Sequence, residues 1–278
     1  MQLQDLRPGW RTDFILHRYG AEVVSRATQL VVRTPANPTF YWGNCLILPV
    51  APRDEDLALW LARFDADIAR DQPASTHVAI GVDAPYDGQP YPSWRAAGFE
   101  VVTTTMLRLQ PGQLALPARP VRHPVVFRKL DLASESEALI ELEMTHTQDF
   151  EPEGYRLFRR RQHQRHHAMQ RDGLMQWFGL WCDGTLAATC GLMREGAEPG
   201  VSGRFQYVTT HADWRRRGLC TALIHAVSEF GFTQWRLADL YMAADPDDVA
   251  IGIYRSLGYR DIGSGFALQR NAPQDRLA

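Results

Sequence analysis

The spacing of hydrophobic and polar positions over residues 125–270 changes period several times, and each change marks an element. VVFRKLDL predicts a strand, and SESEALIELEMTH a helix opened by Ser134, with Glu137 three residues on completing a capping box. GYRLFRRRQHQRHHAMQRDG predicts a second helix, ended by Gly173. LMQWFGLWCDGTLAATCGLM reads as two strands joined at Asp183-Gly184, a strong hairpin signal. GRFQYVTTH is a further strand. In GLCTALIHAVSEFGF, the residues Leu219, Ala222, Leu223, Ala226, Val227 and Phe230 share one helical face, the spacing of a helix packed on a core. LADLYMAA predicts a strand, DDVAIGIYRSLGY a short helix ended by Gly258, and SGFALQR a closing strand. The order β-α-α-β-β-β-α-β-α-β predicts an α+β domain with a largely antiparallel sheet.

The first part of the chain repeats a portion of this pattern. FYWGNCLILPV predicts a strand, DEDLALWLARFDADIA an amphipathic helix, THVAIGV a strand, and YPSWRAAGFEVVTTTMLRL a short helix followed by a strand. At an offset of 160 residues WRAAGFEVVTTTMLRL aligns with YRSLGYRDIGSGFALQ, placing Arg95 on Arg255, Gly98 on Gly258 and Phe99 on Tyr259. So long a period points to two tandem copies of one fold. Between them QPGQLALPARPVRHP holds four prolines and no acidic residue, the composition of a linker. The expected division is a first domain over 1–118, a linker over 119–124 and a second domain over 125–272.

Charge and cysteine usage narrow the function classes. With 30 Lys plus Arg against 32 Asp plus Glu, no global field draws the chain onto nucleic acid, so an anion site must be local. No run of about 18 apolar residues is present and MQLQDLRPGWRTDF lacks the apolar stretch of a secretory signal, which points to a cytoplasmic protein with no membrane partner. Cys45, Cys182, Cys190 and Cys220 are scattered without metal-ligand spacing and are expected to be reduced packing residues. In RRRQHQRHH, His163 and His167 stand four apart, but the surrounding arginines repel a cation, so a solvated or anion-facing helix is expected and no metal.

The candidate chemistry lies in DWRRRGLCTAL. A strand, a turn holding glycine and a helix starting at that turn make an anion site, because the first amides of a helix lack intrahelical partners and carry the positive end of its dipole. The amides of Arg217, Gly218, Leu219 and Cys220 are expected to face a phosphate or pyrophosphate, with Gly218 where a ligand meets bare backbone. YVTTHADWRRRGLCTALIHAV resembles the acetyl-coenzyme A signature of the GNAT N-acetyltransferase superfamily, Arg/Gln-x-x-Gly-x-Gly/Ala at a helix start, with Arg215, Gly218 and Cys220 in its three places. DDVAIGIYRSLGY resembles the second signature of that family, with Asp247 where Asn is usual and Tyr259 where Phe is usual. The resemblance covers roughly residues 125 to 270.

The resemblance implies two tandem GNAT-like domains, each a mostly antiparallel mixed sheet flanked by helices. It implies that Val208 and Thr210 pair with the pantetheine arm and that Arg215, Arg216, Arg217, Gly218, Leu219, Cys220 and Thr221 form the cofactor-binding turn. It also implies that Tyr254 lies beside the thioester sulfur and protonates the departing thiolate, while the Val208 amide stabilises the oxyanion. The first copy lacks these features: APRDED follows its strand with no glycine, and Trp94 stands in place of Tyr254. The implied activity is transfer of acetyl from acetyl-CoA, a co-substrate, to a primary amine in a ternary complex. A non-catalytic coenzyme A sensor is the alternative. Candidate bases are Glu143, His146, Glu195 and His211, and the pattern does not choose among them or identify the amine.

Overall fold

The computed structural model describes residues 1–145 and 151–273. In chain order the elements are α1 (Pro8–His17), β1 (Glu22–Ser25), β2 (Leu30–Arg33), β3 (Cys45–Leu48), α2 (Leu57–Phe64), β4 (Val78–Val82), α3 (Pro92–Ala96), β5 (Glu100–Leu109), β6 (Val126–Leu130), α4 (Leu132–Met144), α5 (Pro152–Arg171), β7 (Met175–Cys182), β8 (Thr185–Arg194), β9 (Ser202–Thr210), α6 (Leu219–Thr233), β10 (Asp239–Ala244), α7 (Ala250–Ser256) and β11 (Arg260–Arg270). From β6 onward this is the expected order. Of the first part, α1, β1 and β2 were not foreseen.

Two compact units result. The first comprises Met1–Thr105 with, among the described residues, 151–158 and 263–273; the second comprises 106–145 and Arg159–Ile262. These units cross the division expected near 118 and 125, because each takes a strand from the other's stretch of sequence. Strand order in the first unit is β1-β2-β3-β4-β11, antiparallel except for the parallel pair β3–β4. Phe266 pairs with Val82 and Arg270 with Val78, so the sheet is closed by the distant end of β11. Phe266 and Leu268 join Ile80, Val82, Trp94 and Phe99 in that unit's core.

In the second unit the order is β6-β7-β8-β9-β10-β5, with β6–β7, β7–β8 and β8–β9 antiparallel and β9–β10 parallel. Leu107 and Leu109, from the end of β5, lie in its core with Leu223, Leu240 and Leu257. The repeat is visible in detail. Gly98 and Gly258 both take left-handed φ values, 84° and 97°, after α3 and α7. Phe99 N–H then donates to the Trp94 carbonyl and Tyr259 N–H to the Tyr254 carbonyl. A side chain on Gly258 would meet the Gln113 carbonyl oxygen at 2.1 Å, so no other residue fits there.

Local signals held with small shifts. The β7–β8 hairpin turns at Asp183 and Gly184, both with positive φ, as a type I′ turn requires. Helix α4 is capped by Asp131, three residues before the expected Ser134: the Asp131 carboxylate accepts from Ala133 N–H at 2.9 Å. Glu137 instead pairs with Arg160.

The face of α5 is a larger correction. Arg159, Gln162, His163, His166 and Met169 are buried at i, i+3, i+4, i+7 and i+10. RRRQHQRHH is therefore not a wholly solvated helix face; Arg159, Gln162, His163 and His166 form part of the interior of the second unit.

Candidate active site

Strands β9 and β10 pair in parallel only from Ser202 with Asp239 to Arg204 with Tyr241. Both continue beyond that point, β9 to Thr210 and β10 to Ala244, so the two strands part and leave a wedge. On its other side β9 stays paired with β8, and His211 N–H donates to the Ala187 carbonyl at 2.9 Å. Because backbone groups alternate along a strand, the amide of Thr210 faces the opposite way, into the wedge. The β8–β9 register shifts between Thr189 and Gly191, so Tyr207 and Val208 together oppose Cys190, a bulge.

At the end of β9 the chain makes a short turn over Ala212–Trp214 and enters α6. Arg216 has φ 62° and Gly218 φ 81°, alternate left-handed residues that turn successive amides toward one side. The first bond of the helix runs from Ala222 N–H to the Gly218 carbonyl at 3.0 Å, so the amides of Leu219, Cys220 and Thr221 precede any intrahelical acceptor. A side chain at Gly218 would meet nothing nearer than Val121 Cγ2 at 4.0 Å. Glycine serves its left-handed φ here, and the space above it is open. These features fit a pyrophosphate.

The three arginines divide their work. Arg215 Nε donates to the Thr210 carbonyl at 3.4 Å, and the Arg217 guanidinium lies 4.5 Å from the Trp214 ring while donating to the Asp213 carbonyl. All three are exposed. Two of them thus brace the turn, and its backbone presents the donors. The linker packs beside the turn: His123 meets Trp214 edge-on at 5.9 Å, and Val121 adjoins the core.

Tyr254, on α7, is 5% exposed. Burial, then the neighbouring Cys220 and Cys190 thiols, raises its phenol above the ordinary value, so it keeps its proton throughout the physiological range. Cys220, in the place where Gly or Ala is usual, is pushed up to about 12 by burial and Asp248, and remains an unreactive thiol. Tyr259 fits where Phe is usual because its hydroxyl meets that of Ser228 at 2.8 Å. Asp247 makes no cap bond to α7: the N-cap is Val249, without a side-chain cap bond, and the Asp248 carboxylate just before it accepts from Ala250 N–H at 2.8 Å. The structure thus gathers Val208, Thr210, the turn 215–221 and Tyr254 in the second unit.

The base candidates fare differently. Glu143 is buried and held by Arg159. His211 accepts from Asp213 N–H through Nδ1, which caps the turn. Glu195 follows β8 and its N–H bonds the Ser202 carbonyl. His146 lies outside the described residues.

The equivalent place in the first unit is shut. There the parallel pair β3–β4 stays in register to the strand ends, Leu48 with Val82, and Asp83 N–H donates back to the Leu48 carbonyl at 2.8 Å. Trp94 Nε1 bonds the Arg53 carbonyl, and the Tyr91 hydroxyl bonds the Pro52 carbonyl. Asp54 accepts from Ser93 N–H, so a carboxylate stands against the first turn of α3.

Residues 137–259 match the acetyltransferase (GNAT) family. This segment is a GNAT acetyltransferase domain. Its match contains the wedge, the anion turn and Tyr254. No curated protein matches the chain. Among solved structures, the fold is similar to that of a conserved protein of unknown function from Staphylococcus epidermidis, at TM-score 0.74 and 10% identity over 91% of this chain and 94% of that one. It is also similar to a GCN5-related N-acetyltransferase from Kribbella flavida, at 0.58 and 17% over 92% and 91%. A tandem GNAT protein from the clavulanic acid biosynthesis pathway is similar at 0.59 and 16% over 94% and 88%. At these identities the likeness is one of fold, and that fold is the tandem GNAT arrangement around the GNAT domain. Among the described residues no helix is long and apolar enough to cross a membrane.

Proposed function

We propose that the chain is an acetyl-CoA-dependent N-acetyltransferase whose one working site lies in the second unit. The observation that carries this reading is the wedge between β9 and β10, ending at a turn whose Leu219, Cys220 and Thr221 amides precede the first helical bond. An extended amide-bearing arm matches the free edge of β9 at Val208 and Thr210, and a pyrophosphate matches the turn from Arg215 to Thr221.

In the reaction the acceptor nitrogen attacks the thioester carbonyl carbon and loses its proton to a general base or to a water chain ending in one, the carbonyl oxygen gains negative charge, and that charge collapses to re-form the carbonyl as the carbon–sulfur bond breaks. The Val208 amide donates to the developing oxyanion. Tyr254 gives its proton, or a strong hydrogen bond, to the departing thiolate. The four free cysteines, of which Cys45, Cys182 and Cys190 are buried, suit a cytoplasmic setting.

The paired strand ends and Asp54 of the first unit support a non-binding role for that copy. Assay of thiol release with acetyl-CoA and a panel of amines, amino acids, aminoglycosides and peptides tests the reading. Tight coenzyme A binding without turnover on any acceptor would favour a coenzyme A sensor instead.

A further inference from the structure

We propose that Arg159, held by Glu143, is a positioning residue for acyl transfer: it fixes the Tyr207 bulge and, through it, the direction of the Val208 amide. The proposal rests on the acetyl-CoA reading above. Tyr207 has φ 47°, a left-handed conformation that is strained for a bulky residue and persists only where the surroundings impose it. Two ring contacts impose it. The Arg159 guanidinium carbon lies 3.7 Å from the centroid of the Tyr207 ring. Trp177 lies 6.5 Å from that ring, inclined at 24°.

Arg159 is itself immobilised. Its Nε and Nη2 both donate to the Glu143 carboxylate, each at 2.5 Å, and Nη2 also meets His163 Nε2 at 3.1 Å. A guanidinium cannot accept, so His163 Nε2 is unprotonated. Arg159 and Glu143 are 0% and 2% exposed. A planar fork can stack on a ring and bind a carboxylate through two parallel bonds at once, and an ammonium cannot.

Stability alone does not account for such a pair. Buried ion pairs are commonly no better than apolar residues of the same volume, and their best attested use is to fix one arrangement among several. The arrangement fixed here is the peptide that follows Tyr207, whose N–H belongs to Val208. With the ring clamped, that N–H is held toward the wedge; with the ring released, the bulge can relax and the donor turns away.

The test is isotope-edited infrared spectroscopy of acetyl-CoA carrying ¹³C at the thioester carbonyl, bound to the full chain. Wild type is expected to lower the carbonyl stretching frequency relative to free acetyl-CoA, because the Val208 amide polarises it. Arg159→Lys and Tyr207→Leu should bind with nearly unchanged affinity while the frequency returns to the free value, and Tyr207→Phe, which keeps the ring, should hold the lowered frequency. Tyr207→Leu leaves the Arg159–Glu143 pair intact, which covers the case in which the Arg159 variant does not fold. Variants that retain the full wild-type shift overturn the clamp and leave the acetyl-CoA reading standing. A wild-type chain that does not bind acetyl-CoA overturns both.

Discussion

At Tyr254 the phenol is buried and raised in pKa, so it stays protonated, as the proposed proton donor must. Tyr254→Phe keeps the ring and removes the donor, so single-turnover acetyl transfer should fall about 10-fold or more while coenzyme A affinity is nearly constant, the pattern of an interaction made mainly in the transition state. Because the shift is upward, no loss of rate from this group is expected below its ordinary value of about 10. Gly218 separates two effects. Gly218→Ala meets open space but must adopt φ 81°, at a cost of about 1 kcal/mol in stability and little in shape. Gly218→Asp adds a carboxylate at the anion turn and should abolish coenzyme A binding in a folded protein, measurable by calorimetry. These residues were legible in the sequence because the resemblance to the two GNAT signatures singles them out: a glycine before an apolar helix, and a tyrosine four residues before another glycine. Arg159 and Tyr207 were not. Their roles depend on a bulge and a stack, and neither leaves a periodic trace.

The element that separates the two copies is the parallel strand pair. In the second unit β9 and β10 part after Arg204 and Tyr241, whereas β3 and β4 remain paired to Leu48 and Val82. Calorimetry should therefore return one coenzyme A per chain. Two equivalent sites would show that the first copy opens in solution. Helix α5 shows where pattern reading failed and why. Its buried positions keep helical spacing, but they are Arg159, Gln162, His163 and His166, and a rule that equates polar with exposed turns such a helix inside out. The spacing was available in RRRQHQRHH; the missing information was the partner, Glu143 on α4.

Across the whole molecule three buried histidines tie stability to pH. Burial holds His77 at about 4; burial, then Arg159, holds His163 at about 2; and His166 lies well below its ordinary value for like reasons. Each is depressed in the folded chain, so its contribution is present above the unfolded value of about 6.5 and is lost as pH falls toward the folded value. Tm should drop between pH 7 and 4, with uptake of close to one proton per histidine on unfolding. Removal of residues 1–118 should be more damaging than loss of a neighbouring domain. It deletes Leu107 and Leu109 from the second core and the Gln113 carbonyl packed on Gly258, and it strips β4 from β11. An insoluble product, or one with a markedly lower Tm, is expected on expression; full stability and activity would refute it. The tandem repeat itself was readable from the 160-residue offset. The exchange of strands was not, because the closing strands of the two copies follow the same Gly-aromatic signal and nothing in either says which sheet it joins. That exchange also sets a timetable for synthesis. Val82 waits for Phe266, 184 residues further along the chain, and at roughly 5–20 residues per second β4 remains an open, apolar edge for about 10–40 s on the ribosome. For that interval Val78, Ile80 and Val82 are exposed to strands of neighbouring nascent chains, so the yield of soluble protein depends on translation rate and on chaperones that shield a bare sheet edge.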